Sequence, residues 1–444
     1  MRRATLASLL GSVALAAPAF AQDSPPVVDS GDTAWVLAAS ALVLMMTLPG
    51  LALFYGGLVR AKNVLNVLVQ CFAAAAVIGV LWVVVGYSLA FGGSGAFIGD
   101  FSRVMLDGVT LDSVTANLAS PSRNIPEYVF VAFQMMFAII TPALIIGAVV
   151  ERMKFSAFVA FMALWVLVVY CPVAHMVWSG PGYLFGKSAI DFAGGLVVHM
   201  TSGLSALVAA IVVGKRKGFG KQPLAPHSLP LCLTGAGLLW AGWFGFNSGS
   251  ALSASPLATL AFLNTSTAAS MATLTWAGIE WLHRGKPTAL GVATAAVAGL
   301  VAITPACGNV SPGGAIAVGA SVAAICYGAV TFLKAKFGYD DSLDAFGVHG
   351  VGGTWGAIAS GLFATVLPAG DRVTQLKVQL EGVAIVLVLA PVATFILLKI
   401  LGVVSAACGS RTRRSSPASI SRSITRRPTR QAAAKATEHH SARS

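Results

Sequence analysis

Two histidines stand in apolar stretches of the chain. His199 closes the run Asp191-Phe-Ala-Gly-Gly-Leu-Val-Val-His199, and His349 closes Asp344-Ala-Phe-Gly-Val-His349. An ionisable side chain placed where hydrocarbon would surround it is costly, and its default reading is a pathway or a proton relay. A core histidine satisfied by a neighbouring carbonyl is the alternative for either residue alone. As a pair, each following an aspartate in a glycine-rich helix start, they favour the relay. Two neutral imidazoles can donate and accept hydrogen bonds at once.

Aromatic side chains recur at helical spacing around them. Phe133 and Phe137 lie four apart and share a face, with Gln134 beside them. Further on, Trp243, Phe246 and Ser250 fall close to one face of Trp243-Phe-Gly-Phe-Asn-Ser-Gly-Ser250. Packing or an interface belt is the ordinary meaning of such a stripe, and Trp178 alone reads as an interfacial anchor. Should Trp178, Phe137 and the Ser250 hydroxyl converge, they form a cage for a cation that also donates hydrogen bonds, held by ring faces and an acceptor oxygen.

The elements that must position these groups are membrane helices. With 444 residues, 56% hydrophobic and 10% charged at a mean hydropathy of +0.80, the chain is far below the charged fraction of a soluble globule, about a quarter. It reads as an all-α integral membrane protein. Eleven apolar segments run roughly over 33–58, 65–91, 127–150, 156–175, 192–214, 229–248, 256–282, 288–304, 312–334, 345–367 and 379–402. Met1-Arg2-Arg3, an apolar run from Ala4 to Ala17 and Ala19-Phe-Ala21 have the three regions of a cleavable signal peptide over residues 1–21. The membrane domain then covers 22–404, its N-terminus outside.

That orientation puts twelve Lys/Arg in inner loops, at positions 60, 62, 152, 154, 215, 216, 217, 221, 284, 286, 334 and 336, against five outside, at 103, 123, 187, 372 and 377. The asymmetry is that of the positive-inside rule. The two aspartate-to-histidine runs fall in the fifth and tenth spans, an odd interval apart, so their helices run in opposite directions. This predicts an inverted five-helix repeat, spans 1–5 and 6–10, plus a final helix. At 1.5 Å per residue His199 lies roughly 12 Å into its helix and His349 roughly 7 to 8 Å, so both point to the middle. Asp191 and Asp344 are expected to cap the two helix starts, where a carboxylate accepts free N–H groups and meets the positive dipole end. The six cysteines have no metal or redox spacing and read as small core residues.

The chain resembles the ammonium transporter family from about Asp32 to about Lys399, in several long motifs in order: Pro49-Gly-Leu-Ala-Leu-Phe-Tyr-Gly-Gly-Leu-Val-Arg60, the Asp191 to His199 run, Gly242-Trp-Phe-Gly-Phe-Asn-Ser-Gly-Ser250, Thr304-Pro-Ala-Cys-Gly308 and Phe346-Gly-Val-His-Gly350. The resemblance implies eleven spans, a homotrimer with one pore per subunit, and a multi-pass protein of the cell's inner (plasma) membrane with its C-terminus cytoplasmic. It implies an ammonium recruitment site of Phe137, Trp178 and Ser250, with Phe133 and Tyr170 near the vestibule. Phe137 and Phe246 would be the stacked rings that close the pore, and His199, His349, Trp243 and Thr304 would line it. Asp191 would support the recruitment region without touching the ion.

The expected activity is recruitment of ammonium, deprotonation, and passage of ammonia, with a separately relayed proton, into the cytoplasm. A Rhesus-type passive ammonia channel shares the twin histidines, but such relatives generally lack the recruitment tryptophan and serine. An ammonium sensor is the other alternative, though sensors of this kind usually carry a fused signalling domain that the residues after Val404 are too few to fold. No nucleophile, metal cluster or cofactor loop supports an enzyme, and neither a cofactor nor a nucleic-acid partner is expected.

Residues 405–444 depart from the resemblance. They hold nine Lys/Arg against Glu438, so of the formal net charge of +13 this tail carries +8 and the first segment +2, leaving about +3 for the membrane body. The composition is that of a disordered segment. The family's acidic ending is absent and the boundary is abrupt, as if the tail were read in a shifted frame; a basic tail that binds anionic lipid is the alternative. Regulation by a PII-type signal protein, which the resemblance would bring, depends in that family on the C-terminal region and the cytoplasmic loops, and this tail lacks the family's form of the first.

Overall fold

A computed structural model describes residues 28–115, 124–222 and 224–409, with side chains to residue 402. The expected leader (1–21) and most of the basic tail lie outside the described residues. Among the described residues, eleven long helical segments follow one another: α1 (Ser30–Leu58), α2 (Ala61–Phe91), α3 (Glu127–Val149), α4 (Phe155–Gly186), α5 (Gly195–Val213), α6 (Leu229–Gly249), α7 (Pro256–Arg284), α8 (Ala289–Ile303), α9 (Pro312–Phe337), α10 (Phe346–Gly350 continued by Val351–Phe363) and α11 (Arg372–Gly402). Eight of them are long and apolar enough to cross a membrane; α7, α8 and α10 are more polar or shorter. Among the described residues the only β pairings are two isolated bridges, Val114 with Pro126 and Val310 with Ala364.

The packing has the two-fold plan expected of the inverted repeat. Helix α1 lies along its counterpart α6, and α5 along its counterpart α10. Glycine is required at both crossings. A Cβ on Gly235 of α6 would strike the backbone of Phe54 in α1, and one on Gly203 of α5 would fall on the backbone of Gly350 in α10. Small residues let membrane helices close to backbone contact, where packing replaces the missing hydrophobic drive between helices in lipid. The final helix α11 belongs to neither half and packs across α4, α5 and α10.

Several helices carry a wider, π-type turn. Two of these turns, Gly195–Met200 and Phe346–Gly350, open α5 and α10 and hold His199 and His349. Such turns are rare and recur at functional sites. Among the described residues, Cys71, Cys171, Cys232, Cys307 and Cys326 are buried and form no disulfide, as small core residues should be.

Helix α11 starts at Arg372, well before the apolar segment placed at 379–402. Asp371 accepts the backbone N–H groups of Val373 (2.8 Å) and Thr374 (3.0 Å) and the Thr374 hydroxyl (2.6 Å), a helix N-terminus built on polar side chains. Its first turns contain Thr374, Gln375, Lys377, Gln379 and Glu381, which a hydropathy reading assigns to a loop.

Candidate functional site

A cavity of about 280 Å³ opens at one end of the bundle, lined by Phe130, Gln134, Phe137, Trp178, Asp191, Ser250, Leu252 and Asn309 among others. The three expected cage residues therefore share one cavity wall. Trp178 is held by its indole N–H, which donates to the Asp191 carbonyl at 2.9 Å. Its ring stands edge-on to Phe137, with centroids 5.9 Å apart at 90°. The Ser250 hydroxyl donates to the Phe246 carbonyl at 2.8 Å, which leaves its oxygen lone pairs as acceptors. Below them Phe137 and Phe246 stack at 4.2 Å and 30°, closing the floor.

Phe133 and Tyr170, expected near this vestibule, do not line its cavity. Phe133 is fully buried behind Phe137, its ring against the backbone of Gly249. Tyr170 is fully buried edge-on to Trp82. Beside Phe137 and Trp178, the aromatics that line the cavity are Phe130, a turn earlier on α3, Phe185 and Phe192. Spacing of four put Phe133 on the face of Phe137 correctly, but that face is shared between the cavity and the α6 contact.

Under the stacked rings the side chains form a hydrogen-bonded chain. The Thr304 hydroxyl donates to the Leu300 carbonyl at 2.8 Å, so its oxygen accepts: from the Trp243 indole N–H at 2.9 Å, and from His199 Nε2 at 3.3 Å. With its Nε2 carrying the hydrogen, a neutral His199 presents a bare Nδ1. His349 Nδ1 lies 3.2 Å from it and donates. The chain thus leaves His349 Nε2 without a hydrogen, an acceptor at the end of the line. His199 also stacks on Trp243 (5.4 Å, 28°) and Phe246 (5.9 Å, 22°).

Both imidazoles line a central void of about 10 Å³, walled mostly by apolar side chains including Leu51, Ile140, Leu144 and Val297. That is the size of about one water. On its far side a cavity of about 210 Å³ begins at His349 and runs past Phe54, Tyr55 and Val348 to Arg216, Lys334 and Asp344. Aromatic chamber, stacked rings, histidine pair and polar chamber adjoin one another in that order, through Phe137, Phe246 and His349.

Asp191 caps α5 as expected. Its carboxylate accepts four backbone N–H groups, those of Gly194 (3.1 Å), Gly195 (2.5 Å), Leu196 (2.9 Å) and Val197 (3.2 Å). Asp344 does not cap α10. It sits at φ 56° and pairs with Lys334 at 2.7 Å, while the Phe346 N–H goes to Asp341 at 2.7 Å. The signal was in the spacing: Asp341 precedes His349 by eight residues, as Asp191 precedes His199. Asp344 is nearer in sequence, but its turn faces the polar chamber and not the helix end.

That end of the molecule is held by buried charge. Arg152 donates to the carbonyls of Gly214 and Asp340, both at 2.7 Å, and to Ala148, and Arg216 grips the Asp340 carboxylate with its backbone N–H at 2.7 Å and its guanidinium at 2.9 Å. Beside them Arg60 pairs with Glu151. Burial pushes the Asp340 carboxyl up, but the hydrogen bonds from Arg216 and the charges of Arg216 and Arg152 outweigh it and hold the group below its ordinary range.

The profile of the Ammonium Transporter Family matches residues 34–407. An ammonium transporter of Aquifex aeolicus is 46% identical over 391 residues, covering 86% of this chain and 90% of the relative. One of Bacillus subtilis is 47% identical over 380 residues, 84% of this chain and 92% of its own. The crystal structure of Saccharomyces cerevisiae Mep2 superposes with a TM-score of 0.77 at 36% identity, over 84% of this chain and 85% of that one.

Proposed function

Starting from a chain that belongs to the ammonium transporter family, we propose that this protein recruits ammonium in the Trp178 chamber, strips its proton there, and passes ammonia along His199 and His349. The Trp178 chamber faces outside and the Arg216 chamber the cytoplasm. The protein acts as a homotrimer in the inner (plasma) membrane, its N-terminus outside and the leader at residues 1–21 removed.

One observation carries the reading: the imidazole pair, 3.2 Å apart, borders a void of about 10 Å³ with a chamber beyond it at either end. A bare small cation in such an apolar tube would cost on the order of tens of kcal/mol by Born solvation, far more than a few ring contacts return. Ammonium escapes that cost by leaving its proton behind. The recruitment chamber suits it, since the rings of Phe137 and Trp178 offer π faces and Ser250 an acceptor. Ammonia then donates to a bare imidazole nitrogen, and the released proton follows the histidines or water. Potassium matches ammonium in size but has no proton to give up, so the same tube rejects it.

The test is to record currents from purified protein in liposomes on solid-supported membranes, with ammonium and potassium pulses, for wild type and for His199→Ala with His349→Ala. Wild type should give a current for ammonium alone, and the double variant should lose it or conduct potassium. Internal alkalinisation without current would replace proton-coupled passage with neutral ammonia conduction, the Rhesus-type behaviour. No response of either kind would overturn the transport reading.

A further inference from the structure

The cap on α5 and the indole of Trp178 depend on one strand of backbone, Ser188 to Asp191, which lies between α4 and α5. This strand is gripped from the final helix. The Gln379 amide takes both polar groups of the Ile190 residue: its Oε1 accepts the Ile190 N–H at 2.8 Å and its Nε2 donates to the Ile190 carbonyl at 2.8 Å. The second Nε2 hydrogen goes to the Ala357 carbonyl on α10, also at 2.8 Å. Gln375, one turn earlier, donates to the Ser188 carbonyl at 3.0 Å and more weakly to Gln379 Oε1 at 3.4 Å. Both glutamines are fully buried.

A primary amide that satisfies the N–H and C=O of one residue copies a strand partner, and it does so where the backbone has none. Ile190 directly precedes Asp191, whose carbonyl holds Trp178 and whose carboxylate caps the helix of His199. Ala357 lies on the helix that carries His349. One side chain therefore ties together the recruitment residue and both halves of the histidine pair, from a helix outside the repeat.

We propose that Gln379 is a positioning residue for ammonium recruitment: it sets the Ile190-Asp191 backbone, and through it the angle of Trp178 over the chamber, without touching the ion. The proposal rests on the transport reading above. Removing the amide frees a peptide that is otherwise fixed at two points, and the loss of one or two buried hydrogen bonds corresponds to a change of about five- to tenfold in an equilibrium.

The test uses the full chain in liposomes, measuring ammonium-evoked currents over a range of concentrations. Gln379→Leu should raise the half-saturating ammonium concentration about five- to tenfold and leave the maximal current within about twofold, since the ring stack and the histidines remain. Thr394→Val controls for loosened docking of the same helix, because it cuts the buried bonds of Thr394 with Ser205 (2.8 Å) and Trp165 (3.1 Å), far along α11. Its half-saturation should match wild type. Hydrogen–deuterium exchange of a peptide spanning residues 188–193 adds a readout independent of transport: the Ile190 amide should lose protection in Gln379→Leu and keep it in Thr394→Val. Should Gln379→Leu fail to assemble, Gln375→Leu carries the same tests with a smaller rise. An unchanged half-saturation with unchanged Ile190 protection, or an equal rise in Thr394→Val, would overturn the proposal. A silent wild type with a Gln379-dependent Ile190 amide would remove the transport reading and leave the clamp.

Discussion

The two aspartate-to-histidine starts are built from the same local pieces and supported in opposite ways. At the Trp178 end, Asp191 spends its whole carboxylate on four backbone N–H groups and has no ion pair. At the Arg216 end, Asp341 offers one oxygen to Phe346, its other oxygen has no partner, and stability comes from the ion pairs of Asp340 and Asp344 around it. Backbone dipoles hold the helix start at the Trp178 end, where the ion pair nearby, Lys187 with Glu381, is exposed. Paired full charges hold the other end, where the path widens into a polar chamber. An inverted repeat conserves the shape of a helix start while leaving each half free to solve its own electrostatics.

The sharpest way to break this contrast is to delete each cap. Asp191→Ala orphans four buried N–H groups at a worth of about 1–3 kcal/mol each, and should abolish ammonium-evoked current in protein that still reaches the membrane. Asp341→Ala removes one such bond and an unpartnered oxygen, and should keep a substantial part of the current. Equal losses in liposome recordings would mean the two caps are equivalent after all.

Breaking the charge anchor comes next. Arg216→Ala leaves Asp340 buried with Arg152 as its remaining cation, and removal of one partner of a buried pair typically costs about 3–5 kcal/mol. The variant should unfold at clearly lower temperature in detergent, whereas Lys187→Ala, which cuts the exposed pair with Glu381 at the other end, should shift melting little. Matching shifts would undo the distinction between buried and exposed pairing.

The smallest effect concerns pH. Because the Asp340 carboxyl is held below its ordinary value, its contribution is complete above the unfolded value of about 3.9 and is lost only as pH falls through the lower folded value. The melting difference between wild type and Asp340→Asn should therefore stay constant from pH 7 to about pH 5 and shrink only below about pH 4. A difference that already shrinks near pH 6 would show that Asp340 is not held by its arginines.

Much of this was legible in one dimension because the bilayer makes sequence speak plainly. Lipid forces backbone polar groups into helices, so apolar length alone marks most of the spans, and the cost of burying imidazole singles out His199 and His349. The motif around Asp191 shows a helix cap because the N–H groups it satisfies are its own near neighbours in sequence. These are properties of residues and their short-range spacing, and the family resemblance rests on the same strings.

What only the tertiary structure decided is which of several chemically similar residues faces what. Asp344 and Asp341 both stand close before His349, and the turn between α9 and α10 sends one to Lys334 and the other to the helix start. Phe133 and Phe130 are both aromatic, both on α3 and both buried, and the close passage of Gly249 leaves Phe130, not Phe133, bordering the cavity. Gln379 reads as a polar residue at a helix entrance, because its partners Ile190 and Ala357 lie far off in the chain. Helical periodicity fixes directions within one helix to a face. The assignment of that face to a cavity, a neighbour or a charge depends on contacts between distant segments, and those are formed only when the eleven helices close around one another.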